Sequence, residues 1–208
     1  MGGAVSDPVR DSVADPGAPA ASLPPRYFDD VYAANADPWK FATSPYEAAK
    51  YAATLAALPR PRYRSALEIG CSIGVLTEQL AARCDRLLAV DVAEAALAQA
   101  RARVGARPNV EVRRLRVPDE DPGGPYDLVL LSEVGYYWSP ADLARAADLV
   151  ARRLETGGHF VLVHWTPVVP DYPQTGDAVH DALLARPEFR RLGGRREEQY
   201  RLDVLERR

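Results

Sequence analysis

The chain has 208 residues, about one α/β domain with a tail, and 47% of its residues are hydrophobic, which suffices for one sizeable core. Its formal net charge is −3, and its Arg residues are scattered among Asp and Glu, so nucleic acid is not expected as a main partner. No apolar run approaches the length of a membrane span, and no secretion signal is evident, so we expect a cytoplasmic protein without a membrane partner.

The N-terminal 25 residues are rich in Gly, Ala, Pro, Ser and Asp and have few large apolar side chains. Such a stretch buries too little surface to offset the entropy lost on ordering. We therefore predict a disordered tail over 1–25 and one folded domain over 26–208. The two cysteines, Cys71 and Cys84, indicate neither a disulfide framework nor a zinc pattern, and we expect no metal.

Two helices are predicted ahead of the first strand. Aromatic and apolar side chains recur with helical spacing over 26–36. Ser44 suits an N-cap and Pro45 suits a first helical position. Glu47 lies three residues after Ser44, which fits a capping box, so a second helix is predicted from there to about residue 58.

The rest of the chain alternates between apolar runs and helical patterns, which favours a mostly parallel sheet covered on both faces. The predicted strands cover 65–69, 87–91, 110–115, 126–131 and 159–165, and the predicted helices cover 73–81, 92–104, 140–154 and 177–185. Two further alternating runs, at 189–196 and 199–206, indicate a terminal hairpin. The predicted fold is a Rossmann-like α/β fold with a seven-stranded sheet, helices on both faces, an antiparallel last strand and two extra N-terminal helices.

The turn after the first strand has the spacing Glu68-x-Gly70-x-Ser72-x-Gly74. A dinucleotide fingerprint would place glycines at 70, 72 and 75, which this chain lacks. The spacing resembles the E-x-G-x-G-x-G loop of class I methyltransferases that use S-adenosylmethionine. Serine in place of the middle glycine adds little cost unless that position needs a positive φ. Asp91 ends the next strand, where a carboxylate can accept both ribose hydroxyls. The alternative is an ordinary βαβ turn beside an exposed acid.

The resemblance is wider than this loop. It rests on the segments DPW at 37–39, SPYEAAKYAATL at 44–55, LEIGCSIG at 67–74, SEVGYY at 132–137 and GDAVH at 176–180. Together these segments resemble the nodulation protein S family, over roughly residue 27 to the C-terminus. That family has the class I fold and methylates an amino-sugar nitrogen of chitin-like oligosaccharides. The resemblance therefore implies S-adenosylmethionine as the cofactor and a small-molecule acceptor, such as an amino sugar or oligosaccharide. The oligomeric state, monomer or dimer, stays open.

The same resemblance implies which residues bind the cofactor. Trp39 is expected as a lid over the cofactor or, equally, as a packing anchor for the first helix. Lys50 is expected to meet the cofactor carboxylate, or else to be a solvated surface lysine. Asp119 follows the third strand, where it could meet the adenine amino group, and the neighbouring Glu120 and Asp121 are alternatives for this contact. The expected cofactor-binding set also contains Glu68, Gly70, Ser72, Gly74, Asp91, Val92 and Ser132.

Three side chains are candidates for catalysis. Glu133 lies at the carboxyl end of the fourth strand, the edge where open α/β sheets bind ligands. An amine must be neutral to attack a methyl group, and a carboxylate there can bind the ammonium form and accept its proton. Tyr137 lies in the same loop. His164 ends the fifth strand and is the alternative base, in a small-molecule O-methyltransferase.

Each catalytic assignment has an alternative. Glu133 could be a helix-entry acid beside core aromatics, and His164 could simply satisfy backbone groups. A domain that binds S-adenosylmethionine without turnover is the alternative to an enzyme. If the cofactor binds, turnover on a panel of amino sugars, sugars and phenols separates an enzyme from a silent binding domain.

Overall fold

The structure is a computed structural model that describes residues 21–208, so most of the predicted tail over 1–25 lies outside the described residues. Packing of the described chain begins near Ser22, whose hydroxyl donates to the Asp142 carboxylate at 2.5 Å and accepts from the backbone N–H of Ser139 at 2.7 Å. The backbone N–H of Leu23 donates to the carbonyl of Tyr137 at 2.8 Å. The packed chain therefore starts a few residues before the predicted boundary at 26.

The described residues form six α-helices and seven strands. The helices are α1 (Pro25–Ala34), α2 (Pro45–Ala56), α3 (Val75–Leu80), α4 (Glu94–Val104), α5 (Pro140–Arg153) and α6 (Gly176–Leu184). The strands are β1 (Ala66–Ile69), β2 (Leu87–Asp91), β3 (Val110–Arg114), β4 (Tyr126–Ser132), β5 (Leu154–Trp165), β6 (Phe189–Arg196) and β7 (Tyr200–Arg207). Short 3₁₀ turns occupy Ala81–Arg83 and Gly135–Tyr137.

All seven strands form one sheet in the order β3-β2-β1-β4-β5-β7-β6. The pairs among β1 to β5 are parallel, and β7 runs antiparallel to both β5 and β6. The predicted sheet, with its antiparallel last strand and two extra N-terminal helices, is confirmed. Since strand order reverses at β1, a crevice opens between the chains that leave β1 and β4, which is where such sheets bind ligands.

Two apolar clusters cover the two faces of the sheet. On one face, side chains of α5 and α6 pack against residues such as Val129 and Leu162. On the other face, side chains of α2 and α3 pack against neighbours such as Leu130 and Val163, whose side chains point the opposite way along the same strands. Burial on both faces explains why β1 and β4 have no exposed residue.

Among the boundaries that differ from the sequence prediction, two do so for identifiable reasons. The predicted helix over 73–81 starts at Val75, because Gly74 precedes it with a left-handed φ of 79°, and its last turn tightens into a 3₁₀ helix. Strand β5 begins at Leu154 rather than at His159, because Leu154 already pairs with Tyr126 across an irregularity in the ladder. Among residues 21–208, no helix is both long enough and apolar enough to cross a membrane.

Candidate active site

The predicted site residues gather at the carboxyl ends of the central strands. The glycine turn follows β1, Asp91 ends β2, Glu133 follows β4, and His164 lies near the end of β5. Helices α1 and α2 add Tyr32 and Lys50 from the N-terminal extension. The two N-terminal helices therefore contribute polar side chains to this edge of the sheet as well as packing.

The glycine turn has a backbone that only small residues can adopt. The φ angles are 82° at Gly70, 50° at Ser72 and 79° at Gly74. A Cβ at Gly70 would lie 2.0 Å from Cγ2 of Val134, and a Cβ at Gly74 would lie 2.9 Å from the Cα of Ala100. Both glycines are therefore required by close packing as well as by φ.

Ser72 occupies the left-handed region, which the sequence did not reveal. This conformation strains a non-glycine residue by about 1 kcal/mol or more. Two contacts hold it in place. Its hydroxyl shares a hydrogen bond of 2.5 Å with the hydroxyl of Tyr32, and its backbone N–H donates to Oδ2 of Asp91 at 2.9 Å. Helix α1 is thus tied directly to the glycine turn.

Asp91 faces the glycine turn from the end of β2. Besides Ser72, it accepts the backbone N–H of Ala93 at Oδ1, at 3.0 Å. Each carboxylate oxygen has a further lone pair, so the group can accept two more hydrogen bonds. Burial raises the pKa of Asp91, and the bonds from Ala93 and Ser72 oppose that rise. Val92, the next residue, accepts from Nε of Arg114 through its carbonyl at 3.0 Å.

Glu68 lies beneath the glycine turn in β1 and is 2% exposed. Burial raises its pKa to about 8, and the nearby Asp91 carboxylate adds to the rise. Its Oε2 has no hydrogen-bond partner among the described residues. A turn open to close backbone approach, a carboxylate with spare acceptors and a buried carboxyl with one unpartnered oxygen together fit a polar nucleoside such as the one in S-adenosylmethionine.

Trp39 lies next to this turn and is half-buried. Its ring stacks on Phe41 at 5.5 Å between centroids and packs edge-on against Tyr32 at 5.6 Å. The same apolar cluster contains Ile73 of the glycine turn. The structure therefore shows the packing role, and the role as a lid stays a prediction.

Lys50 lies in an ion-pair cluster and is 2% exposed. Its Nζ is 3.0 Å from Oε1 of Glu47 and 2.5 Å from Oε1 of Glu133. Burial alone lowers the pKa of Lys50, but the Glu133 and Glu47 carboxylates outweigh burial and raise it. This geometry is not that of a solvated lysine, and it favours a role in holding Glu133. The contact with a cofactor carboxylate stays a prediction, because the ammonium has a third donor. We call Glu47, Lys50 and Glu133 the carboxylate–lysine cluster.

Glu47 was expected to complete a capping box, and only half of that motif forms. The Ser44 hydroxyl accepts the backbone N–H of Glu47 at 3.4 Å, whereas the Glu47 side chain pairs with Lys50. Burial raises the pKa of Glu47, against the effect of Lys50. Its Oε2 has no hydrogen-bond partner among the described residues. Glu47 thus belongs to the site through its ion pair with Lys50. The sequence indicated only a capping role, because Glu47 lies three residues after Ser44.

Glu133 is held more tightly than its loop position suggests. Its φ is 59°, a strained value for glutamate. Besides Lys50, its carboxylate accepts the Tyr136 hydroxyl at 2.7 Å and the backbone N–H of Trp165 at 2.8 Å, both at Oε2. The side chain keeps 13% exposure. Backbone strain held in place by three donors is typical of functional sites.

Tyr136, rather than the predicted Tyr137, contacts this carboxylate. The Tyr137 ring is buried against Phe28 and Tyr136, and its hydroxyl lies 3.4 Å from that of Tyr172. Burial raises the pKa of Tyr137 well above its usual value. Tyr137 therefore stays a prediction for catalysis, and the sequence missed Tyr136 because the two tyrosines are adjacent and only the 3₁₀ turn decides which one points inward.

His164 is fully buried with both ring nitrogens engaged. Nε2 accepts the backbone N–H of Gly135 at 3.1 Å, and Nδ1 lies 3.1 Å from Nε2 of His180. Burial, with further contributions from His180 and Lys50, lowers the pKa of His164 well below its usual value. This arrangement favours the structural alternative over the role of a base.

Of the two remaining residues predicted to bind the cofactor, Ser132 is buried and Asp119 is exposed. Ser132 is buried at the end of β4, with its carbonyl 3.6 Å from where a Cβ on Gly70 would lie. Asp119 is exposed on the loop after β3 and pairs with Arg145 at 2.7 Å and with Arg116 at 3.0 Å. A contact between Asp119 and adenine stays a prediction. Within residues 21–208, no group of three or more His, Cys, Asp or Glu side chains is arranged to hold a metal ion.

Known proteins resemble this chain in sequence. A family profile described as Nodulation protein S (NodS) matches residues 30–162. Nodulation protein S of Rhizobium tropici is 32% identical over 127 residues, covering 60% of this chain and 53% of its own length. The protein of the same name from Bradyrhizobium diazoefficiens is 36% identical over 107 residues, covering 49% of each chain. The chain thus spans about half the length of these curated relatives.

Solved structures extend the comparison to most of the fold. The N-methyltransferase NodS from Bradyrhizobium japonicum WM9, in complex with S-adenosyl-L-homocysteine, superposes with a TM-score of 0.79 at 23% identity, covering 88% of this chain and 98% of that one. A protein from Pseudomonas syringae, named as a candidate methyltransferase, is 38% identical with a TM-score of 0.70, covering 78% of this chain and 99% of the other.

Proposed function

The chain belongs to the nodulation protein S family, and on that premise we propose that it is an S-adenosylmethionine-dependent methyltransferase acting on an amine nitrogen of an amino sugar or related saccharide. The observation that carries the proposal is the Glu133 carboxylate, which three donors hold at the carboxyl edge of the sheet beside the glycine turn. The relatives of this chain, which include the N-methyltransferase NodS from Bradyrhizobium japonicum WM9, support the same reaction.

The cofactor fits the glycine turn and Asp91. Gly70 and Gly74 allow the backbone to approach the amino-acid and ribose parts, and the spare lone pairs of Asp91 accept the ribose hydroxyls. When bound, S-adenosylmethionine supplies an electrophilic methyl group on a sulfonium. Trp39 and Tyr32 present aromatic rings next to the turn, which suits a cation or a planar base.

Glu133 handles the proton of the acceptor. A protonated amine has no lone pair for attack, so its proton must leave before methyl transfer. Oε2 of Glu133 already accepts two hydrogen bonds and Oε1 accepts one, so one lone pair remains on Oε1. With it the carboxylate can bind an ammonium and take one proton from it. Its 13% exposure gives that proton a way out to solvent.

The carboxylate–lysine cluster suits a cationic acceptor. It contains two carboxyl groups and one ammonium, so with both carboxyl groups ionised it has a net charge of −1. A buried excess negative charge is costly alone and is relieved by an approaching cation. An amine acceptor becomes cationic on methylation, whereas a hydroxyl does not. The cluster therefore favours N-methylation over O-methylation, as do the engaged nitrogens of His164.

The first experiment separates a binder from a non-binder. Calorimetry with S-adenosylmethionine should show binding, and its absence at millimolar concentration would defeat both the enzyme and the silent binding domain. Turnover is then measured on amino sugars, neutral sugars and phenols. We expect methylation of amines only. Methylation of phenols or neutral sugars alone would favour the O-methyltransferase, and binding without turnover on the panel would favour the silent domain.

A variant then tests Glu133. Glu133→Gln keeps the shape but cannot take a proton, so we expect turnover to fall at least a hundredfold while the Kd for S-adenosylmethionine changes less than threefold. Glu155→Gln is the matched control, because Glu155 pairs with Arg64 at the protein surface. Full turnover in Glu133→Gln would remove the proton-accepting role.

A further inference from the structure

We propose that His164 and His180 are positioning residues that set the turn carrying Glu133. The proposal rests on the proposed function, because it takes Glu133 to be the group that accepts the proton. Neither histidine reaches the crevice directly, since both are fully buried. They act through the backbone of Gly135, two residues after Glu133.

A continuous chain of hydrogen bonds links Gly135 to the outer hairpin. The Gly135 N–H donates to Nε2 of His164 at 3.1 Å, Nδ1 of His164 lies 3.1 Å from Nε2 of His180, and Nδ1 of His180 lies 2.7 Å from Oδ2 of Asp203. The chain thus crosses from the β4–α5 loop through β5 and α6 to β7.

Only one placement of protons satisfies every hydrogen bond in this series. A backbone N–H can only donate, so Nε2 of His164 must accept, and a neutral His164 then has its proton on Nδ1. That proton is donated to Nε2 of His180, which leaves the proton of His180 on Nδ1, facing Asp203. Burial alone raises the pKa of Asp203, but hydrogen bonds from His180 and Arg191 outweigh it and lower the pKa. Asp203 is therefore an acceptor, and every member is satisfied with both histidines neutral.

The outer end of the chain is fixed by two arginines. Nε of Arg191 in β6 donates to Oδ1 of Asp203 at 2.7 Å, and Nε of Arg201 in β7 donates to Oδ2 at 2.8 Å. The Asp203 carboxylate is itself fully buried. The tautomers of both histidines are therefore determined at two ends, by the Asp203 carboxylate in the outer hairpin and by the Gly135 N–H in the active-site turn.

The inner end of the chain fixes the turn that presents Glu133. A Cβ on Gly135 would lie 2.6 Å from Cγ1 of Val179 and 2.9 Å from Nε2 of His164, so the turn is packed directly against both side chains. The residue after His164, Trp165, donates its backbone N–H to the Glu133 carboxylate. The end of β5 therefore holds both the backbone of the turn and its functional side chain, which offsets the strain of the left-handed φ at Glu133.

The kinetic experiment uses three variants of the full chain. His164→Leu removes the acceptor for Gly135, and His164→Gln keeps an acceptor near the position of Nε2. His159→Leu is the matched control, because His159 is also a buried histidine of β5. It lies toward the amino end of the strand, away from the site, and shares a hydrogen bond of 2.8 Å with the Tyr63 hydroxyl. The readouts are kcat on the amine acceptor, KM for S-adenosylmethionine and the midpoint of urea unfolding.

We expect His164→Leu to lower kcat at least tenfold with KM for the cofactor changed less than threefold, and we expect His164→Gln to recover most of the loss. His159→Leu should lower stability without a comparable loss of kcat. The inference is overturned if kcat is unchanged in His164→Leu, or if His164→Leu and His159→Leu lose kcat equally. Either result would leave the proposed function standing. No turnover by the wild-type protein on any amine would overturn the proposed function and the inference with it.

A spectroscopic measurement tests the chain without relying on activity, and it stands even if His164→Leu fails to fold. Nitrogen NMR of histidine-labelled protein bound to S-adenosylhomocysteine reports the protonation of each ring nitrogen. We expect His164 and His180 both to be neutral with the proton on Nδ1 at pH 7. A charged His164, or a proton on its Nε2, would overturn the proposal.

Discussion

Lys50 and Glu133 lie 83 positions apart in the chain, yet Nζ of Lys50 is 2.5 Å from Oε1 of Glu133. The lysine comes from α2 in the N-terminal extension, and the glutamate follows the central strand β4. The extension thus contributes the cation that faces the proposed proton acceptor. Lys50 therefore has two candidate roles, one in holding Glu133 and one in binding the cofactor carboxylate. Measurements on variants can distinguish them.

Replacing Lys50 with methionine tests that distinction. The variant leaves two buried carboxyl groups without their shared cation, so we expect a loss of about 3–5 kcal/mol in the free energy of unfolding. Turnover should fall at least tenfold, because the Glu133 carboxylate loses one of its three donors, while the Kd for S-adenosylmethionine should rise less than threefold. Denaturant unfolding, steady-state kinetics and calorimetry measure the three quantities.

Lys40→Met is the control for this variant, because Lys40 is exposed on the nearby turn. If Lys50→Met raises the Kd for S-adenosylmethionine tenfold and leaves kcat unchanged, the result would support a contact between Lys50 and the cofactor carboxylate. The double variant Lys50→Met with Glu133→Gln should unfold at a higher denaturant concentration than Lys50→Met alone, because one of the two unpaired carboxylates is gone.

Asp91→Asn is expected to weaken cofactor binding. The carboxylate accepts the backbone N–H groups of Ser72 and Ala93 with different oxygens, whereas an amide has only one oxygen. We expect the Kd for S-adenosylhomocysteine to rise at least tenfold, which corresponds to about 1.4 kcal/mol. Calorimetry gives the constant, and Asp85→Asn is the control because Asp85 pairs with Arg62 at the surface. An unchanged Kd would leave Asp91 with only a backbone-capping role.

Gly70→Ala should abolish cofactor binding through a defined clash. The added Cβ would lie 2.0 Å from Cγ2 of Val134, so Val134 or the turn must move. If Val134 is the obstacle, adding Val134→Ala should recover part of the affinity, although the left-handed φ of 82° keeps a strain of about 1 kcal/mol. Binding is measured by calorimetry for both variants. Equal affinities for Gly70→Ala and the wild type would mean that the turn relaxes freely.

The stability of the ligand-free protein should fall as pH rises across the titration of Glu68. Its pKa is raised from 4.5 to about 8 in the folded state, so between these values the folded protein holds a proton that the unfolded chain has lost. Stability is therefore greatest below the lower value and declines through the upper one, by on the order of 4 kcal/mol at pH 8.

Glu68→Gln cannot titrate, so its stability should vary less over the same range, and at pH 8 it should exceed that of the wild type. Urea unfolding of both proteins from pH 5 to 9, compared at each pH, measures the difference and cancels groups that both share, such as His164. Parallel pH dependence of the two proteins would contradict the raised pKa of Glu68.

The sequence sufficed for the features that depend on local pattern. Alternation of apolar strands and helices predicted the sheet, and the alternating run at the end predicted the hairpin whose last strand is antiparallel. The glycine turn and Asp91 were placed correctly side by side, because the end of one parallel strand lies next to the end of its neighbour. Such inferences need only the periods of strands and helices.

Features that depend on three-dimensional contacts could not be predicted. The partner of Lys50 lies on an element distant in sequence, so the pattern of its own helix indicated only a surface or cofactor-facing position. The positive φ of Ser72 and of Glu133 results from packing and hydrogen bonds from other elements. The engagement of both nitrogens of His164 likewise depends on the turn at Gly135 and on His180 of α6, which lie on other elements.

The position of β7 inside the sheet has a consequence for synthesis of the protein. Strand β6 pairs only with β7 within the described residues, and β7 also completes the pairing of β5. Residues are synthesised in chain order, so β5 and β6 are both made before the strand that joins them. A released chain that ends before residue 200 would leave the edges of β5 and β6 open to other chains, and we expect it to aggregate.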